Sequence, residues 1–201
     1  MGFISKFLLP KQVDFDAAML EQARVARQMV EQLRHLGEES EAMAALAHRG
    51  ARLKARNMRE LLDVFITPYD KESIYRMITQ LDWIALSVKH FHVEAGAYGV
   101  SPPTGWEKVL ERLRAMAAAL EAGLTQLGDP SLTPLVARID RIHELYDEVV
   151  AGCAGAVAAL DESQGCKVLL LQRDLLLQLK EIARRIQVAA NTLEDMAIKR
   201  L

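Results

Sequence analysis

The chain has 201 residues, 51% of them hydrophobic and 26% charged, with 25 Lys and Arg against 27 Asp and Glu for a formal net charge of −2. That is enough chain for one large or two small globular units, and the near-neutral balance offers no electrostatic case for nucleic acid. Aromatic content of 5%, 11 glycines and 6 prolines point to a mostly helical chain, and no apolar run approaches the roughly 20 residues of a membrane span.

The opening "MGFISKFLLPK" is apolar, with Lys6 and Lys11. It lacks the long apolar region and small-residue cleavage site of a signal peptide. Lys6 stands where the myristoylation pattern needs Ser or Thr. The expectation is a short arm packed on the rest of the chain, with weak membrane association as the alternative. Apolar residues then recur with a 3.6-residue period over six segments, at 14–36, 40–64, 70–97, 104–127, 132–161 and 167–199. Turn-forming stretches separate them: "LGEES" at 36–40, Thr67-Pro68, "AGAYGVSPPTG" at 95–105, "LGDPSLTP" at 127–134 and "DESQG" at 161–165. The widest break leaves three helices on each side, 1–98 and 104–201, in a similar layout. Long helices joined by short loops lie antiparallel, so the pattern predicts two three-helix bundles packed together.

On the second helix "RGARLKAR" at 49–56 reads as a solvated face, or as a patch for phosphate or acidic lipid. Before the third, Thr67 or Asp70 can cap free N–H groups, Pro68 suits a helix start, and Asp70 and Glu72 complement the dipole. With Leu81 as the centre of the apolar stripe, the residues Ile74, Met77, Ile78, Ile84, Ala85 and Val88 fall within about 60° of it at 100° per residue. His92 falls near the centre of that stripe and reads as a core histidine, while His90, opposite, reads as a surface residue. Cys153 and Cys166 have no second pair for zinc and read as reduced thiols, with a local bridge left open. "KVLLLQRDLLLQLKEI" at 167–182 is too leucine-rich for one stripe, so some of Leu170, Leu171, Leu176 and Leu177 should face another bundle or subunit. Glu-x-x-His pairs, a glycine-rich phosphate loop and a nucleophile beside a base are all lacking, so an enzyme is not expected.

"FITPYDKESIYRMITQLDWI" at 65–84 resembles the hallmark of the PhoU-like family of phosphate-transport accessory proteins, often paired with a low-affinity inorganic phosphate (Pit-type) transporter. "FLLPK" at 7–11 and "AANTLEDMAIK" at 189–199 resemble the family's opening and closing, so the likeness spans nearly the whole chain. It implies an all-α, PhoU-like single domain over 1–201: two antiparallel three-helix bundles packed together. It also implies metal clusters held by carboxylates four residues apart on the second and third helices of each half, because i and i+4 share a helical face. This chain departs from that pattern. Asp82 is present, but Leu86, Ala47 and Ala51 stand where acids are expected, and His90 where another acid is common. On the fifth helix the pair reads His143 and Asp147, with Glu144 alongside, and on the sixth Arg184, Gln187 and Val188 replace acids, while Asn191 and Glu194 remain. Asp82, His90, His143 and Asp147 are the remaining metal candidates, and two ligands on one helix make a weak site.

The faces that lack acids carry apolar groups instead. Tyr75, Trp83 and Leu86 lie away from the core stripe and are the expected partner interface, between subunits or to a transporter. The reading is therefore a non-enzymatic accessory or regulator of a Pit-type phosphate transporter that works by protein contact and carries no cofactor, with a metal-cluster-binding PhoU-like protein as the alternative. Its expected partners are a membrane phosphate transporter and further copies of itself, without nucleic acid and without a membrane span of its own. The expected place is the cytoplasm, peripheral to the inner membrane face at most.

Overall fold

The computed structural model describes residues 13–34 and 41–200. The expected N-terminal arm and the "LGEES" break lie outside the described residues. Asp14 starts the first helix by accepting a hydrogen bond from the Ala17 N–H at 2.9 Å. The helices are α1 (Phe15–Glu31), α2 (Glu41–Asp63), α3 (Lys71–Tyr98), α4 (Trp106–Gln126), α5 (Thr133–Ala158) and α6 (Cys166–Ile198). Single 3-10 turns follow α1 at Gln32–Arg34 and precede α6 at Glu162–Gln164. Among the described residues there is no strand.

The start of α3 shows why the chain can reverse so sharply there. Of the two candidate caps, Asp70 is the one used: its carboxylate accepts from the Ser73 N–H and the Ser73 hydroxyl, each at 2.7 Å. Thr67 instead braces the turn, its hydroxyl donating to the Tyr69 carbonyl at 2.6 Å. At the far end Gly99 has φ 61, a left-handed conformation that glycine adopts without strain and that closes the helix.

α1, α2 and α3 pack on one another, as do α4, α5 and α6; the two groups meet where α3 lies on α6 and α1 on α4. One continuous core runs through both groups, with Met19, Met29, Leu81, Leu113 and Met116 fully buried. Each such side chain contributes roughly 1.5–3 kcal/mol on burial. A polar tie runs through the first group. The Asn57 amide, fully buried, donates to the Ala18 carbonyl and to Gln22 Oε1, both at 3.2 Å, and Gln22 Nε2 donates to the Ile78 carbonyl at 2.8 Å. These bonds fix the register of α1, α2 and α3, because a slip would leave buried amides unpaired.

α3 is also tied to α6 at both ends. Near its start Arg76 pairs with Asp195, and Lys199 bridges Asp195 at 3.0 Å and Asp70 at 3.5 Å. Near its end the Tyr98 hydroxyl donates to Asp174 at 2.6 Å, and Gln178 Nε2 donates to Glu94 at 2.6 Å. This double duty explains one departure from the sequence expectation. His92 is half-buried, with Phe91 set edge-on to it at 88°. Phe91 is the fully buried residue, 5.6 Å from the Trp106 ring at the start of α4. The buried side of α3 turns toward the second group in its last three turns, which brings Phe91 in and moves His92 to the flank. Of the four leucines singled out on α6, Leu176 is buried, Leu171 is half-buried, and Leu170 and Leu177 reach the surface. Cys153 is buried and Cys166 exposed, both as free thiols.

Asn57→Leu should cost about 2–3 kcal/mol in urea unfolding, since Gln22 loses a partner inside the core. Asp70 gives a pH-dependent outcome. The Ser73 hydroxyl first, and then the Ser73 N–H, hold its carboxyl below the usual range, and Asp195 is held low chiefly by Lys199. A lowered folded pKa stabilises above the unfolded value of about 4, and the contribution is lost as pH falls through the folded pKa. Asp70→Ala should therefore lower stability at neutral pH by about 1 kcal/mol, with the gap to the parent narrowing below about pH 4.

Candidate functional site

Two adjacent features lie on the outer side of the first three helices: a cleft between α2 and α3, and a line of apolar groups along α3. The cleft has a volume of about 310 Å³ and is lined by Met29, Ala44, Ala47, His48, Ala51, Asp82, Ala85, Leu86 and Lys89. It exists because α2 turns a run of alanines to α3, and small side chains cannot fill the space between two helices whose backbones are held apart by larger groups elsewhere.

Ala47, Ala51, Asp82 and Leu86, separated by up to 39 positions in sequence, therefore do meet in one place. Their chemistry does not suit a metal cluster. Asp82 supplies the single carboxylate, it is 7% exposed, and Lys54 Nζ donates directly to its Oδ2. A cluster needs several anionic ligands, and here a cation already occupies the one on offer. His90 is exposed, eight residues and so about 12 Å further along the axis of α3.

In the second group the His143 ring donates from Nε2 to Asn191 Oδ1 at 2.8 Å, tying α5 to α6 at the position of the closing motif. Asp147 is exposed one turn later, and Glu144 is engaged by Arg141 at 2.8 Å. Among the described residues no group of three or more His, Cys, Asp or Glu side chains is placed to hold a metal ion. The structure thus gathers the cleft positions, while Asp82 is paired with Lys54, His90 lies more than two turns along α3, and His143 and Asp147 stand one turn apart on α5 with no third ligand beside them among the described residues.

The apolar groups sort differently. Tyr75 is 52% exposed and Leu86 40%. Trp83, 43% exposed, turns toward α6, where the Arg185 guanidinium lies 4.0 Å from its ring centroid. Glu181, itself held below the usual carboxylate range by Arg184, forms an ion pair with Arg185 at 2.7 Å that holds the guanidinium over the ring. Trp83 is thus a capped edge of the seam, worth about 0.5–1 kcal/mol as a cation–π contact at a partly exposed site. Val93, 62% exposed, completes the line instead. It stands seven residues, two turns, beyond Leu86, a spacing that sequence reasoning could have extended from Leu86 and did not.

A second surface was read only as a turn. Leu62 is 82% exposed, Phe65 92% and Ile66 74%, all at the reversal between α2 and α3. Because these residues continue the apolar pattern of α2, the sequence alone gives no sign that they stand clear of the core.

Comparison with solved structures finds the crystal structure of a PhoU-like protein from Shewanella oneidensis MR-1, with a TM-score of 0.73, 12% sequence identity, and cover of 92% of this chain and 95% of that one. The fold is thus PhoU-like, an all-α helical bundle. No family model matches the chain, and no curated protein matches it.

The convergence of the cleft can be measured. The parent's Tm should not move when zinc or manganese is added in about tenfold excess, whereas the triple variant A47E, A51D and L86D should gain stability with metal and lose it on chelation. A triple variant that folds and ignores metal would show that the four positions do not converge.

Proposed function

We propose that this chain is a non-enzymatic accessory or regulator of an inorganic phosphate transporter of the Pit type, acting by protein contact through the outer side of α3. The observation that carries the reading is the line Tyr75, Leu86 and Val93, apolar groups 40–62% exposed beside an alanine-lined cleft. Its other sides are taken up by α1, α2 and α6. An apolar ridge of this kind costs solubility unless something covers it. The PhoU-like fold and the likeness of residues 65–84 to phosphate-transport accessory proteins supply the partner class.

Two groups suited to covalent chemistry, Cys153 and Tyr98, are suppressed. Burial pushes the Cys153 thiol up to about 11, and the Tyr98 hydroxyl is held protonated by hydrogen bonds to Asp174 and Glu94. The charged side chains serve instead to tie helices together, as Arg27 does with Glu121 and Arg112 with Glu148.

Because α3 is held to α6 at both ends, the ridge is presented as a rigid edge. A partner helix can lie along it with one apolar side chain in the cleft, the usual geometry of a helix in a groove. Regulation then follows from preference: if one transporter conformation buries the ridge better than another, its population rises. A tenfold shift needs about 1.4 kcal/mol, which corresponds to roughly 60 Å² of extra apolar burial. A side chain the size of Leu86 supplies that. Copies of the chain can pack on the same ridge, and we place homo-oligomer formation there as well.

Affinity capture from detergent-solubilised membranes tests the proposal. The parent should retain a multi-span phosphate permease, and the double variant Leu86→Glu with Val93→Glu should lose about tenfold or more of it while keeping its helical circular dichroism. Equal capture by both would overturn the reading. Trp83→Glu is the poorer test, since it places a carboxylate under Arg185.

A further inference from the structure

We infer that the segment covering the α2–α3 cleft is an acidic amphipathic helix, with an apolar anchor flanked by Asp or Glu. The inference rests on the contact reading proposed above and adds the chemistry of what makes that contact. Residues 42–59 of α2 carry Arg49, Arg52, Lys54, Arg56 and Arg59 and no acid, and residues 83–93 of α3 carry Lys89 and no acid.

Two carboxylates serve these cations. Glu21 of α1 pairs with both Arg49, at 3.2 Å, and Arg56, at 2.9 Å, while Asp82 takes Lys54. Arg59 donates from Nε to the Ala55 carbonyl at 3.2 Å. Arg52 and Lys89 are exposed, and neither forms an ion pair among the described residues. Six cations therefore meet two carboxylates, and the surplus stays positive when Glu41 and Glu60 at the two ends are added. The whole chain carries a net charge of −2, so this positive surface is local.

The place of Lys89 decides what can cover the ridge. At 100° per residue it falls on the same side of α3 as Leu86 and Val93, and between them along the axis. It also lines the cleft, with His48 on the opposite wall. A partner that buries Leu86 and Val93 must therefore cover the Lys89 ammonium as well. A wholly apolar partner would desolvate that charge without a counter-ion, which is costly. A carboxylate on the partner removes the cost, and the same ammonium rejects a basic segment. Shape then favours a helix over a free anion or a lipid surface. The floor beneath the cations is apolar, formed by Met29, Ala47, Ala51 and Ala85, and an inorganic anion would leave it empty. A helix laid along the cleft fills that floor with its anchor and reaches the rim with acids one turn to either side.

Two synthetic helical peptides test the inference by fluorescence anisotropy with the full-length chain. Both carry leucines at the seven-residue spacing of Leu86 and Val93, and they differ only in having Glu or Lys one turn from each leucine. The parent should bind the Glu peptide about tenfold or more tighter than the Lys peptide, with the preference shrinking as salt rises. Lys89→Glu, with unchanged helical circular dichroism, should erase or reverse the preference. Failure of the parent to bind the Glu peptide, equal binding of both peptides, or a preference that Lys89→Glu leaves intact would each overturn the inference. So would Lys89-dependent binding to anionic vesicles, or Lys89-dependent self-association, without binding of the Glu peptide. Membrane capture separates this outcome from the contact reading. A permease lost to the Leu86→Glu and Val93→Glu variant but retained in full by Lys89→Glu would keep the ridge as the contact and overturn its acidic partner.

Discussion

α3 has to serve two groups of helices at once, and most of what is distinctive about the molecule follows from that. It packs on α1 and α2 on one side and on α6 on the other. A helix in the middle of a single bundle buries one stripe and leaves the rest to water. α3 buries Ile74, Met77, Ile78, Leu81, Ile84, Val88 and Phe91 and still carries Asp70, Arg76, Glu94 and Tyr98 in ties to α6. What remains for the outside is a narrow strip on which the apolar Tyr75, Leu86 and Val93 stand beside the exposed Lys89 and His90. The Gln22–Asn57 tie sets how α3 lies on its own group, and the two clusters at its ends set how it lies on the other. Neither adjustment can be made without breaking the other, so the outer strip has a fixed direction.

The cleft beside it shows how side-chain volume decides what a space between two helices can hold. With acids on α2 and α3 the same space would hold hydrated cations. With Ala47, Ala51 and Leu86 it is an apolar hollow, and the remaining carboxylate, Asp82, is neutralised by Lys54. A desolvated carboxylate without that lysine would be costly, so the pair makes the hollow tolerable rather than reactive. The contact we propose through the strip would then be a matter of shape and apolar area, which suits a helix better than an ion.

The helices and their order were legible in the sequence because their period and caps are local properties. Asp14, Asp70, Gly99 and Gly165 each mark a boundary through backbone chemistry that needs no tertiary partner. The convergence of Ala47, Ala51, Asp82 and Leu86 was also legible, through a family likeness, although their final environment was not. What could not be read were relations between helices. His92 was placed in the core because a straight 100° count ignores the turn of α3 toward α4. Trp83 was grouped with Tyr75 and Leu86 and is as exposed as they are, but nothing in one helix announces that Arg185, 102 positions later, stacks on its ring. Phe65 and Ile66 were passed over as part of the turn before α3, since one segment's apolar pattern does not say which of its residues another helix covers.

The account stands or falls on the outer strip of α3 being a face that another protein covers. A photo-crosslinking amino acid placed at position 86 in living cells tests this most directly, with the same reagent at exposed position 111 on α4 as the reference. The account predicts a light-dependent adduct from position 86 that contains a multi-span membrane protein, and none from position 111. Equal crosslinking from both positions, or none from position 86, would contradict it.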